Sequence, residues 1–548
     1  MKSFKNAISF IQKQDIKPIV ILLFISIISY QLLLPYNYFV FDDWALFAHG
    51  STLNSRQVFQ SSLLEPARPF YWLVDLTLSS MAGRNIWIYR SVWFISWLIL
   101  PLLVYIFFRE YMNSRYYATI ISVIYLLLPN KHEIHHWFTI LPANIHLALL
   151  LVTLTLIIRG MNQNKQNLLL VSPVLYILML ALYEMALGLP LLIIIYYYIW
   201  KPPINKKFVF RYAFIMLFCF IFYMIWRMSN AFGMGYEIVE RISRINIYPT
   251  MIISNLINGL EYISPSGLLC FANTGMLGWN FIFRFGIALF ILHLASALIS
   301  VFLLMKYLHE KNETSNENID YKRHLLFAFA SMFILVPTLY FWGGSAIRHW
   351  GYGDIGLSVI AFCILFIILN AAGRYRKIVS KLMILLLLFL IFINQGQSMN
   401  WAFVSYWQEL IYRHLETRKE DLSEDKYIVL ISYSPYLRRY FNKNFLQSYP
   451  NFIRGVGFYE TWIIEGMSVF ITGKKPKYFK CKDEYSEMIF RDDCIEYIDI
   501  NNCIKKISIE EVVLVDVVEL LAPHAREWKI LLPEKKTKRI VPWFSEVR

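Results

Sequence analysis

The residues best suited to chemistry are two adjacent carboxylates in Phe41-Asp42-Asp43-Trp44, directly after the first long apolar segment. Acids beside a bilayer are costly to keep unless they bind or react with something. Further polar groups recur between later apolar segments: Arg68-Pro69, Lys131-His132-Glu133-Ile134-His135-His136-Trp137, Tyr183-Glu184 and Arg348-His349-Trp350-Gly351-Tyr352-Gly353-Asp354. If the apolar segments cross a membrane in alternation, all of these fall on one side. Carboxylates, histidines, arginines and tryptophans gathered at one interface suit a polar, anionic, membrane-tethered substrate.

Each group also has a plainer reading. Trp44, Trp137, Trp342 and Trp350 fit interfacial anchors, and Arg68 and Arg348 fit snorkelling caps of span ends. Glu184 fits a solvated connector. For Asp42 and Asp43 the neighbouring Trp44, Leu46 and Phe47 argue against a free loop and for a helix packed at the interface. His132, His135 and His136 are dense enough for a metal, but only His132 and His136 share a helical face and no third ligand is evident. A divalent cation is therefore a candidate ligand, and no cofactor is implied.

The elements that must position these groups are apolar. Hydrophobic residues make up 57% of the chain and the mean hydropathy is +0.46, beyond a soluble domain, with several runs reaching the roughly 20 residues that cross a bilayer. The expected fold is an all-α polytopic membrane domain over residues 1–394 with eleven spans, one of them between Tyr71 and Phe108, another between His324 and Trp342, and the last between Leu382 and Asn394. With a cytoplasmic N-terminus, the inner segments hold 20 Lys and Arg against 6 Asp and Glu, which satisfies the positive-inside rule and sets the C-terminus outside. Those segments also account for most of the net charge of +15, so the basic balance does not call for a nucleic-acid partner. No small-residue cleavage site follows Leu34, and the first segment reads as an uncleaved anchor in a plasma or inner membrane.

After Asn394 charges become frequent and balanced, and residues 395–548 read as a separate extracytoplasmic α/β domain. It opens with Trp401, Val404, Trp407, Ile411 and Leu415 at helical spacing, a stretch suited to lying along the membrane face. Strands are expected at residues 427–432, 495–500 and 512–518. Of six cysteines, Cys481, Cys494 and Cys503 lie in this region, where an oxidising exterior would allow one disulfide.

Taken in order, Asp42-Asp43-Trp44 after the first span, Arg68-Pro69 entering the second, His132-Glu133 with Trp137 after the third, and Glu184 with Leu189-Pro190 at the fifth-to-sixth junction resemble the membrane glycosyltransferases of the GT-C fold, in particular the branch of protein O-mannosyltransferases and other polyprenyl-phosphate-sugar enzymes. The likeness covers about the first 200 residues and rests on the order and common side of short motifs. It implies transfer of a sugar from a polyprenyl-phosphate donor to a glycan, protein or lipid acceptor on the outer face, usually with inversion. An acceptor hydroxyl is a poor nucleophile near neutral pH, and a carboxylate can take its proton as attack proceeds. Asp42 fills that role by the resemblance, with Asp43 supporting. The departing lipid phosphate would be stabilised by Arg68, His136 and Arg348. Glu133, Glu184, His132, His135 and Trp137 would position the sugar or the loops. The Trp-Trp-Asp signature of oligosaccharyltransferases is missing, which disfavours sequon N-glycosylation.

Other classes fit less well. A lipid-linked glycan polymerase or ligase of O-antigen type would concentrate Arg and His in a large late outer loop, whereas the 227–280 segment has only Arg227, Arg241 and Arg244. A transporter would show broken helices in two related halves, and an adaptor would not need acids at the membrane face.

Overall fold

The computed structural model describes residues 12–36, 38–39, 42–64, 68–129, 136, 138–234, 286–312, 319–336, 347–422, 427–431, 461–473, 489–490, 493–498, 503–516 and 540–541, with scattered single positions between 250 and 283. The chain is mostly helical. In order come α1 (Ile16–Ser26, continued by a π-helical turn Ile27–Gln31), α2 (Asp42–Ser51), α3 (Ser55–Leu64), α4 (Pro69–Ala82), α5 (Ile86–Met112), α6 (Arg115–Leu127), α7 (Leu141–Asn162), α8 (Gln166–Leu182), α9 (Leu189–Trp200), α10 (Lys206–Met234), α11 (Ile287–Asn312), α12 (Tyr321–Ile334), α13 (Ile347–Ala371), α14 (Arg376–Thr417) and α15 (Thr461–Thr472).

Among the described residues, seven helical segments are long and apolar enough to cross a membrane: 13–31, 86–112, 138–162, 206–227, 287–310, 351–371 and 373–402. Three shorter apolar helices, α6, α8 and α9, pack among them. The outward faces are apolar as well. On α10, Phe214, Phe218, Phe222 and Ile225 are each more than 60% exposed and lie along one stripe, a surface that water would disfavour and lipid would not.

Local chemistry sets the helix ends. Asn85 accepts the Trp87 amide and starts α5, and Asn113, at φ 51°, closes it in the left-handed region that Asn tolerates. This corrects one sequence expectation. The stretch from Tyr71 to Phe108 is two elements, because Gly83 (φ 52°) and the Asn85 cap break it, and α5 alone has membrane length while α4 does not. The last span also runs further than expected. One 42-residue helix passes through Asn394, so the stretch from Trp401 to Leu415 is the continuation of α14. Ile411 and Leu415 are buried against protein there, and the stretch is not an amphipathic helix laid on a surface. Residues 337–342 of the expected ninth span lie outside the described residues.

Polar ties lock both ends of the bundle. At one end the buried Asp15 carboxylate accepts from Tyr105 (3.0 Å) and Arg115 Nε (2.9 Å) and pairs with Arg109, joining α1 to α5 and α6. Lys17 pairs with Glu310 of α11, and Tyr111 meets His324 of α12 at 3.0 Å. At the other end the Tyr30 hydroxyl donates to the Leu126 carbonyl (2.6 Å) and Asn394 Nδ2 to the Leu127 carbonyl (3.1 Å), so α1 and α14 satisfy the terminal carbonyls of α6.

In the C-terminal region β1 (Tyr427–Ile431), β2 (Ile489–Phe490), β3 (Cys494–Ile498), β4 (Ile504–Ser508), β5 (Val512–Asp516) and β6 (Ile540–Val541) make two three-stranded sheets, ordered β5-β1-β6 and β2-β3-β4. β1 runs parallel to β5, with Tyr427 opposite Val512 and Ile431 opposite Asp516, while β2-β3-β4 is antiparallel. Cys494 is a free thiol, and Cys481 lies outside the described residues. α15 packs on α2. A Cβ at Gly466 would stand 2.2 Å from the Trp44 carbonyl carbon and oxygen, so only glycine permits this approach.

Candidate functional site

The acid-bearing loop folds into α2, whose first two residues are Asp42 and Asp43. Acids are favoured there because the first-turn amides and the helix dipole present positive charge. The Asp43 side chain is fully buried and accepts the Thr139 backbone N–H at 2.9 Å, which ties α2 to the segment entering α7. Its neighbour Trp44 is also fully buried. Its Nε1 donates to Gln408 Oε1 on α14 (2.9 Å), and its ring stacks on Tyr412 at 5.1 Å. Trp44 is therefore a packing post inside the protein and not an interfacial anchor. Phe470 of α15 closes the other side, stacked on Phe39 at 5.9 Å and edge-on to Trp44.

Beside Asp43 lies an acid that sequence reasoning missed. Asp75 of α4 is fully buried, and neither of its oxygens has a hydrogen-bond partner. Burial, reinforced by the Asp43 charge, holds its carboxyl well above the usual carboxylate range. The signal was present as a lone acid in the apolar run Trp72-Leu73-Val74-Asp75-Leu76, a pattern that marks a candidate site wherever it faces the interior. α2 and α4 approach closely at Gly50, where a Cβ would lie 1.7 Å from Ser79 Oγ.

Arg68 stands immediately before α4 and is partly buried. Its guanidinium lies 4.3 Å from the Tyr183 ring centre and 5.9 Å from that of Tyr71, a cation–π seating. Tyr71 in turn donates to the Thr139 carbonyl, so Thr139 links Asp43 through its amide to Arg68 through its carbonyl partner. Tyr183 stacks on Tyr352 at 6.4 Å, and the Tyr352 hydroxyl donates to the Ala143 carbonyl, which brings the start of α13 to the same place. His136 is buried. Its Nε2 is 3.0 Å from Ser398 Oγ, and its ring stacks on Trp401 at 6.2 Å and lies 6.5 Å from Tyr30.

Of the residues singled out by sequence, the structure thus brings Asp43, Arg68 and His136 to one end of the bundle. The first turns of α2 and α13, which carry Asp42 and Arg348, lie at that end too, as does Glu184 beside Tyr183. The side chains of Asp42, Glu184 and Arg348 lie outside the described residues, as do His132, Glu133, His135 and Trp137. Among the described residues no group of three or more His, Cys, Asp or Glu is close enough to hold a metal. Chemically, the site combines an amide-anchored carboxylate, a second buried carboxyl whose proton burial favours, a guanidinium on tyrosine faces and a buried imidazole. No protein-family model matches this chain, and no curated protein matches it.

Proposed function

We propose that this chain is an integral membrane glycosyltransferase of the GT-C kind, moving a sugar from a polyprenyl-phosphate donor to a glycan, protein or lipid acceptor on the non-cytoplasmic face. The N-terminus is then cytoplasmic, and the apolar helices, including α6, α8, α9 and α12, form eleven spans.

The observation that carries this reading is the Thr139 junction, where Asp43 of the acid-bearing helix holds the amide and Tyr71, one of the two rings under Arg68, holds the carbonyl. Asp43 spends its carboxylate on the Thr139 amide, which suits a supporting role and leaves Asp42 to accept the acceptor hydroxyl's proton as that oxygen attacks the anomeric carbon. The bond from that carbon to the lipid phosphate breaks, and the phosphate leaves with added negative charge. Arg68, with His136 and Arg348, stabilises that charge. Seating Arg68 on two tyrosine faces fixes the guanidinium before the charge develops, which limits reorganisation during the reaction. No step is assigned to a metal ion.

The test is incubation of the purified protein with a panel of polyprenyl-phosphate sugars and acceptors, read as release of polyprenyl phosphate. One donor should be consumed, and Asp42→Asn should lower its turnover by about 10² to 10⁴ at equal protein level. Unchanged turnover in Asp42→Asn and Asp43→Asn alike would overturn the mechanism. Reporter fusions after Gly160 and Gly373 should report cytoplasm, and an external report at either would reverse the proposed orientation.

A further inference from the structure

The middle of α14 holds polar groups that the mechanism above does not use. Residues 373–402 form a segment of membrane length whose apolar 18-residue stretch has a mean hydropathy of 2.3, and Asn394, Gln395, Gln397, Ser398 and Asn400 follow one another toward its C-terminal end. Most of these are engaged. Gln395 Nε2 reaches the Ile28 and His293 carbonyls, Ser398 meets His136, and Asn394 Nδ2 meets Leu127. Gln397 differs: it is 1% exposed, and neither its amide oxygen nor its amide nitrogen has a partner. The Asn394 amide oxygen is unpartnered too.

A buried primary amide with no hydrogen bond is costly anywhere, and more so in a segment of membrane length where water is scarce. Such a group persists where something else satisfies it. Helical spacing puts Asn394 and Trp401 on the same face as Gln397, one turn to either side. Trp401 is the ring stacked on His136, so Gln397 stands one helical turn from the edge of the candidate site.

We infer that Gln397 and the Asn394 carbonyl receive the hydroxyl groups of a carbohydrate. An amide offers two donors and an acceptor, which matches hydroxyls that both donate and accept. The inference rests on the glycosyltransferase reading and deepens it. The sugar belongs either to the lipid-linked donor or to a glycan acceptor.

The test compares wild type with Gln397→Leu in detergent, measuring binding of polyprenyl-phosphate glucose, mannose and galactose, of polyprenyl phosphate alone, and of the three methyl hexosides. Loss of hydrogen bonds worth about 1.4 kcal/mol weakens binding about tenfold. Gln397→Leu should therefore bind the preferred lipid-linked hexose about tenfold more weakly while binding polyprenyl phosphate as wild type does. It should also unfold at a higher temperature, because an unsatisfied amide has been removed. Weakening confined to a methyl hexoside assigns the subsite to the acceptor. Unchanged affinity for every sugar, equal weakening for polyprenyl phosphate, or a lower unfolding temperature would each overturn the inference and leave the glycosyltransferase reading standing. If wild type binds no lipid-linked hexose and no methyl hexoside, both fall together.

Discussion

Replacing Asp75 by Asn removes a titration while keeping size and polarity, and its effect on stability must depend on pH in a defined direction. In the folded chain burial and the neighbouring Asp43 charge hold the Asp75 proton well above the usual range. In the unfolded chain the same carboxyl titrates near its ordinary value of about 3.9. Above about pH 4 the unfolded state has released this proton and the folded state has not, so the folded state binds more protons and stability falls as pH rises, until the folded group itself ionises. The limiting slope for one proton is about 1.36 kcal/mol per pH unit, so above about pH 5 the variant should gain on wild type by up to that much per pH unit for as long as the folded carboxyl keeps its proton. Below about pH 4 both states of wild type carry the proton, and the two proteins should differ by less than about 1 kcal/mol, since one unsatisfied neutral group replaces another. The assay is thermal or denaturant unfolding in detergent, followed by loss of helical circular dichroism at several pH values. Parallel pH dependence in the two proteins would mean that Asp75 ionises normally in the fold, and the acid-beside-carboxylate picture of the site would be wrong.

Arg68→Ala should lower donor use far more than protein abundance, and Arg68→Lys should restore only part of it, since an ammonium neither forks onto a phosphate nor spreads over the Tyr183 ring as a guanidinium does. Normal transfer by the alanine variant, measured as polyprenyl phosphate released, would leave Arg68 as a span cap. Gly466→Val should destabilise the protein by about 1–3 kcal/mol through overpacking against the Trp44 backbone, and should shift the fluorescence of a protein whose Trp44 is otherwise stacked and buried. An unfolding midpoint equal to wild type would show that α15 does not press on α2.

The sequence by itself determined what depends on local pattern. Apolar runs produced the long helices because a backbone in an apolar environment must satisfy its own hydrogen bonds, and the short runs rich in Val and Ile at Tyr427 to Ile431 and Val512 to Asp516 marked two strands that prove to be parallel neighbours. The acid pair, Arg68 and His136 were visible because polar residues between apolar runs stand out against their background. What sequence could not decide is how those groups meet. Asp75 looked like part of a span until Gly83 and the Asn85 cap separated α4 from α5, and its partnerless state is a property of packing that no spacing encodes. Residue 394 looked like a boundary because composition changes there, yet helix propagation is indifferent to whether the next residues face lipid or protein, and α14 continues for its full 42 residues. That continuation carries Gln408 and Tyr412 onto Trp44, and α15 closes over the same ring through Gly466 and Phe470. These contacts join positions more than 360 residues apart in the chain, a relation that only burial of complementary surfaces in the folded molecule sets.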